Sequence, residues 1–161
     1  MLHSLPIMDE PQWLTDEQQH TWRQFVSLLV KLPAALEAQL QRDAGLTHMG
    51  YFVLATLSDR ADRQLPMSRL AANASASLSR LSHVVSRLEA KGWVRRERCP
   101  DDGRVQIAVL TDEGHAKLVE VAPGHVDIVR SLVFDQLTAT QTRQLTRICE
   151  SLLAPHHQQP R

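Results

Sequence analysis

The chain has 161 residues, 43% hydrophobic and 22% charged, a size and balance that suit a single folded domain and exclude a wholly disordered chain. Its longest apolar stretch, Phe25 to Val30, is interrupted by Ser27 and stopped by Lys31, far short of a bilayer span. Met1 to Met8 lacks the charged-then-apolar layout of a secretory signal, so a cytoplasmic protein is expected. Eighteen basic residues balance eighteen acidic ones, yet the balance is uneven along the chain. Residues 1–58 hold 3 basic and 6 acidic side chains, residues 59–99 hold 9 and 4, and residues 100–161 hold 6 and 8. A compact positive centre between acidic flanks suits phosphate binding, and on charge alone a solvated mixed surface suits it equally.

Trp22, Phe25, Leu29, Leu32, Leu36 and Leu40 recur at steps of three and four, predicting a long amphipathic helix over Asp16 to Gln41. Pro33 falls inside it and predicts a kink or break near Leu32. Gly45 offers a stop, and Thr47 caps a second helix through Tyr51, Phe52, Leu54 and Leu57, which gives out in the polar stretch Asp59 to Gln64. Pro66 suits the start of a short third helix over Met67 to Ala72, with Leu70 and Ala71 inward. Asn73 to Ala76 reads as a small-residue turn, with Ser77 or Ser75 capping a fourth helix. That helix carries Leu78, Leu81, Val84, Val85 and Leu88 on one arc and closes at Gly92. Short helix, tight turn and second amphipathic helix make a candidate helix-turn-helix.

Beyond Gly92 the period changes. Trp93 to Arg98 reads as a strand, Cys99-Pro100-Asp101-Asp102-Gly103 as a turn, and Val105, Ile107 and Val109 alternate along a second strand, which completes a hairpin. Thr111 with Asp112 and Glu113 opens a long helix toward Phe134, bent at Pro123-Gly124. Thr138 with Gln141 is a capping box for a final helix carrying Leu145, Ile148 and Leu152. Pro155 to Arg161 reads as a loose tail. The whole is a mainly α chain of one domain with a small β-hairpin wing.

The outer arc of the fourth helix holds Ser79, His83 and Ser86, with Arg80, Ser82 and Arg87 at its margins and Ser77 at its start. Short hydroxyl side chains permit close approach to a major groove, and arginine pairs with guanine O6 and N7. Several serines on an exposed face are mediocre for helix stability alone. Arg104, just past the sharp turn, can project into a minor groove. Asp102 is too acidic to meet phosphate unpaired, so its expected role is to orient an arginine, either Arg104 or one on the fourth helix. The competing reading is a solvated face and a hairpin whose Asp101, Asp102 and Gly103 only turn the chain.

Ser79 and His83 lie four apart, but no G-x-S-x-G elbow surrounds Ser79, so an enzyme is not expected. Neither metal nor cofactor is expected: the histidines show no HExxH spacing, and Cys99 and Cys149 form no CxxC pair. Cys99, beside Arg98, is a secondary candidate for oxidation.

The order of elements, together with Leu88-Glu89-Ala90-Lys91-Gly92-Trp93-Val94, then Asp102-Gly103-Arg104, then Leu110-Thr111-Asp112-Glu113-Gly114, resembles the MarR family of bacterial winged-helix transcription regulators, over about Trp13 to Leu153. The resemblance implies a winged helix-turn-helix lobe over about residues 46–111, with dimerisation helices over about 12–45 and 112–154. It implies a homodimer with the first helix and the last two from each subunit interleaved, each winged helix reading half of a near-palindromic duplex, most often as a repressor. Contacts then fall to the outer face of the fourth helix (Ser77, Ser79, Arg80, Ser82, His83, Ser86, Arg87) and to Asp102 and Arg104 of the wing. His83 stands where many members carry a longer or more basic residue. The family also implies a small, often aromatic, anionic effector between the dimer helices and the lobe, for which Trp22, His48 and Tyr51 are the candidates. A winged helix used only for protein association is the alternative reading.

Overall fold

Caps written into the sequence set the helix boundaries. The structure, a computed structural model, describes residues 11–100 and 102–154. Asp101 of the wing turn and the tail from Pro155, with His156 and His157, lie outside the described residues. The described elements are α1 (Asp16–Ala44), α2 (His48–Ser58), β1 (Gln64–Pro66), α3 (Met67–Asn73), α4 (Leu78–Ala90), β2 (Val94–Arg98), β3 (Gln106–Leu110), α5 (Asp112–Leu132) and α6 (Ala139–Leu153). A single 3-10 turn at Phe134–Gln136 separates the last two helices.

Thr15, Thr47, Ser77, Thr111 and Thr138 all take extended backbone and accept from the N–H three residues on, satisfying donors that a helix start leaves free. Of the two serines that suited the start of α4, Ser77 caps it, while Ser75 sits in the turn at φ 48°. At the far end of α1, Gly45 adopts φ 59° and the Leu46 N–H reaches back to the Leu40 carbonyl at 3.2 Å, a left-handed closure that favours glycine.

Two expected interruptions do not break their helices. α1 runs unbroken through Pro33 and α5 through Pro123-Gly124. A proline forfeits one backbone hydrogen bond at a cost of about 3 kcal/mol, which long, capped helices absorb.

The expected hairpin, β2 with β3, forms and is joined by a third strand in an antiparallel sheet of order β1-β3-β2. Leu65 and Arg96 both pair with Ala108, from opposite sides. Because β1 is an edge strand, its terminal Pro66 costs no ladder bond in the sheet interior. The core forms where this sheet meets the lobe helices: Leu54 and Leu57 of α2, Leu70 of α3, Leu81 and Val85 of α4, and Ala108 are fully buried, with Val94 nearly so. Leu78, expected on the buried arc of α4, is exposed; at the first turn of the helix it stands beside Met67, Ser68 and Arg104 in an open cleft instead.

The outer helices are a different case. Leu36 and Leu40 of α1 are buried, but Trp22, Phe25 and Leu29 of the same stripe are exposed, and α6 buries none of its residues. Among the described residues no helix is long and apolar enough to cross a membrane. Apolar faces of this extent mark a surface made to be covered.

Candidate nucleic-acid interface

The turn after α3 delivers α4 with its apolar arc inward, so Ser79, Arg80, His83, Ser86 and Arg87 are all exposed on the outer arc, with Ser82 half-buried at its margin. Ser77 is engaged as the N-cap, accepting from the Arg80 N–H at 3.2 Å. Ser79 and His83 share no hydrogen bond among the described residues.

Past the sheet, the wing turn holds Arg104 out with 91% of its side chain exposed. Asp102 Oδ1 accepts from the Arg104 backbone N–H at 3.0 Å and from Nε at 3.1 Å, while Oδ2 accepts from Nη2 at 3.2 Å. The arginine that Asp102 orients is therefore its wing neighbour, not one on α4. Those hydrogen bonds hold the Asp102 carboxyl below its ordinary range, so a negative charge fixes the guanidinium plane and leaves its outer edge free.

A second guanidinium escaped the sequence reading. Arg96 on β2 donates from Nε and Nη2 to Glu89 Oε2 at 3.0 and 2.7 Å, and its backbone N–H donates to Glu89 Oε1 at 3.1 Å. It also reaches the helix face, donating to Ser82 Oγ at 3.4 Å and Ser86 Oγ at 3.1 Å. The Arg96 hydrogen bonds draw the Glu89 carboxyl below its usual range. Period-two alternation carried the signal: Arg96 shares a sheet face with the buried Val94, so a charge there needs a partner, and Glu89 stands seven residues before it.

Arg80, His83 and Arg87 also form one wall of a cleft whose other wall is Pro33, Glu37 and His48. Glu37 Oε2 accepts from the His48 backbone N–H at 2.6 Å, which fixes α2 against α1. Beneath it lies a polar cluster. His125 of α5, 9% exposed, packs against Tyr51 with ring centroids 4.2 Å apart and lies 6.0 Å from His48. Its Nδ1 is 3.4 Å from Gln39 Oε1, and Gln39 Nε2 donates to Asp43 Oδ2 at 2.9 Å. Burial first, and the His48 charge second, push His125 below the ordinary imidazole value; burial and then Asp59 push the Tyr51 hydroxyl up.

Of the three residues expected at an effector site, His48 and Tyr51 flank His125 and Trp22 does not join them within the chain. Trp22 is 55% exposed on the N-terminal half of α1, tilted against Phe25 with ring centroids 6.2 Å apart and facing Ile148 and Leu152 of α6. Helical periodicity puts a residue on a face, but a helix as long as α1 spans two different neighbours along that face.

Lys91, at the end of α4, donates to the Gly45 carbonyl at 2.9 Å and lies 4.6 Å above the Trp93 ring, tying the lobe to the end of α1.

Comparison with known proteins agrees with this geometry. The MarR family model matches residues 46–105, the span of the lobe up to the wing. Sco3205, a MarR family transcriptional regulator from Streptomyces coelicolor solved in complex with DNA, is 48% identical, with a TM-score of 0.88 over 95% of this chain and 94% of that one. AbsC, a MarR family transcriptional regulator from the same organism, is 36% identical, with a TM-score of 0.88 over 92% of this chain and all of that one. The transcriptional repressor MprA of Escherichia coli is 27% identical over 110 residues, and the match spans 68% of this chain and 62% of that repressor. With near-complete coverage at this identity, the chain belongs to the MarR family of transcriptional regulators.

Proposed function

We propose that the protein is a homodimeric, sequence-specific DNA-binding repressor, which grips a near-palindromic duplex through two copies of α4 and the wing. The observation that carries the reading is the pairing of one outward guanidinium, Arg104 held by Asp102, with an adjacent helix face made mainly of short or basic side chains. Arg80 and Arg87 with Ser79, His83 and Ser86 suit a major groove, and Arg104 suits the narrow minor groove beside it, where negative potential concentrates. The DNA complex of Sco3205 supports the same assignment.

Dimerisation follows from the apolar faces that one chain leaves uncovered. Trp22, Phe25 and Leu29 of α1 with Ile148 and Leu152 of α6 form such a surface, and the division into outer dimer helices and an inner lobe rests on it. Two lobes then read successive major grooves about 34 Å apart. The work is binding without turnover, and its compartment is the one that holds the DNA.

The cleft between α1 and α4 is where an effector acts. A small aromatic anion would meet His48 and Arg80, with Tyr51 nearby, and would shift DNA affinity only through unequal affinity for the two lobe spacings. The decisive experiment selects duplexes from a random pool with the purified protein and measures affinity against salt. A selected duplex should bind far more tightly than scrambled DNA. The slope of log affinity on log salt should lose about 0.9 for each phosphate contact removed, and Arg87→Ala and Arg104→Ala should each weaken binding. Selected and scrambled DNA binding alike at moderate salt would end the claim of specificity. Salt-insensitive affinity for a protein, without duplex binding, would establish the association module in its place.

A further inference from the structure

Arginine offers five N–H donors and no acceptor. In both bonds from Arg96 the serine oxygen must therefore be the acceptor, at 3.4 Å for Ser82 and 3.1 Å for Ser86. Each hydroxyl then keeps one proton to place elsewhere. Within a helix the ordinary destination is the carbonyl four residues back, and Ser151 takes it, donating to the Arg147 carbonyl at 2.9 Å, as Thr142 and Thr146 donate to Thr138 and Thr142. Among the described residues Ser82 and Ser86 make no such donation. Arg96 itself is anchored on α4 by Glu89, through the two side-chain bonds at 2.7 and 3.0 Å, so it does not turn to suit the serines.

We propose that Arg96 is a specificity-determining positioning residue, which biases Ser82 and Ser86 toward donating to base edges in the major groove. An unconstrained serine hydroxyl gives or takes a hydrogen bond, and so meets any base edge. A hydroxyl oxygen that accepts from a guanidinium keeps a second lone pair, but the cation weakens that pair as an acceptor and polarises the O–H, so giving is favoured. Purine N7, guanine O6 and thymine O4 accept that proton, whereas cytosine presents only its N4 donor and is disfavoured. Arg96 contributes sequence preference from behind α4, without touching a base.

The inference rests on the DNA-binding reading above, and the test separates the two. The full-length protein selects a duplex from a random pool; no selection at all would sink that reading and this one with it. Given a selected duplex, every single-base variant is measured with the wild type, Ser82→Ala, Ser86→Ala, Arg96→Lys and Arg96→Gln, with thermal melting to confirm that each variant is folded. Each serine-to-alanine change should flatten preference at particular positions by about tenfold, and at those positions the wild type should favour acceptor-bearing bases. Arg96→Gln, whose amide oxygen can take the serine proton, should relax the discrimination against cytosine there. Arg96→Lys, again donor-only, should retain it. A structural role for Arg96 would make no such distinction. Identical base rankings for Arg96→Gln and wild type at the serine-sensitive positions overturn the inference. So does a uniform loss of affinity on removing either serine, which would put the hydroxyls against phosphate.

Discussion

Replacing Gly114 by Ala places a methyl group where the root of the wing already stands. A Cβ built there would lie 2.0 Å from the Trp93 carbonyl oxygen, 2.8 Å from its carbon and 2.9 Å from Leu110 Cδ1. Real Cβ atoms essentially never approach closer than 3.0 Å, so α5 and the strand must separate by at least 1.0 Å. That displacement falls on a set of short bonds. The Trp93 carbonyl accepts from the Thr111 N–H at 3.1 Å, and Thr111 Oγ1 donates to the Gly92 carbonyl at 2.7 Å while accepting from the Gly114 N–H at 3.0 Å. Overpacking costs about 1–3 kcal/mol, and losing one or two of these bonds adds roughly 1 kcal/mol each. At about 2–4 °C per kcal/mol for a chain of this size, the melting temperature should fall by roughly 4–20 °C, read by calorimetry at fixed protomer concentration. Duplex affinity should fall with it, since the strands that carry Arg96 and Arg104 are displaced. A melting point within about 2 °C of wild type, at unchanged affinity, would refute the view that α5 is seated on the wing's root through this glycine.

Two further expectations concern the outer helices. Leu152→Glu puts a charge into the exposed apolar face shared with Trp22 and Phe25, and light scattering should then report one chain's mass; an unchanged dimer mass would place the interface elsewhere. His125 has a folded-state value below its ordinary 6.5, so the unfolded chain binds its proton more readily. The stability tied to neutral His125 is complete above about pH 6.5 and declines as the pH drops toward the lower folded value. Melting temperature against pH should show this decline in the wild type and lose it in His125→Gln, with Glu89 contributing separately at more acidic pH; parallel curves for the two proteins would contradict the assignment.

Features that depend on near neighbours in sequence were legible. Thr47, Thr111 and Thr138 announce their helices because a cap is a bond to the residue three positions on. The Asp102 and Arg104 pair is legible for the same reason, being two residues apart. What failed is long-range. β1 is three residues long, too short for any alternation to register, and it becomes a strand only because β3 lies beside it. Ser82 and Ser86 stood out as groove residues, while the Arg96 that sets their hydrogen bonds was hidden in a strand that reads as surface charge. Gln39 and His125 are both buried and lie 86 residues apart, so neither position alone betrays the other. Trp22 was assigned by type, as an aromatic suited to a ligand, when its place along α1 puts it on the side of α6 instead.

The ammonium of Lys91 bridges the last turn of one helix and the terminal carbonyl of another. The two ends are thereby coupled, whereas among the described residues the far end of α4 has no such hydrogen bond to α1. A shift at the end of α1 is therefore passed to the end of the reading rod, and a molecule wedged between Pro33 and His83 would bear on both helices at once.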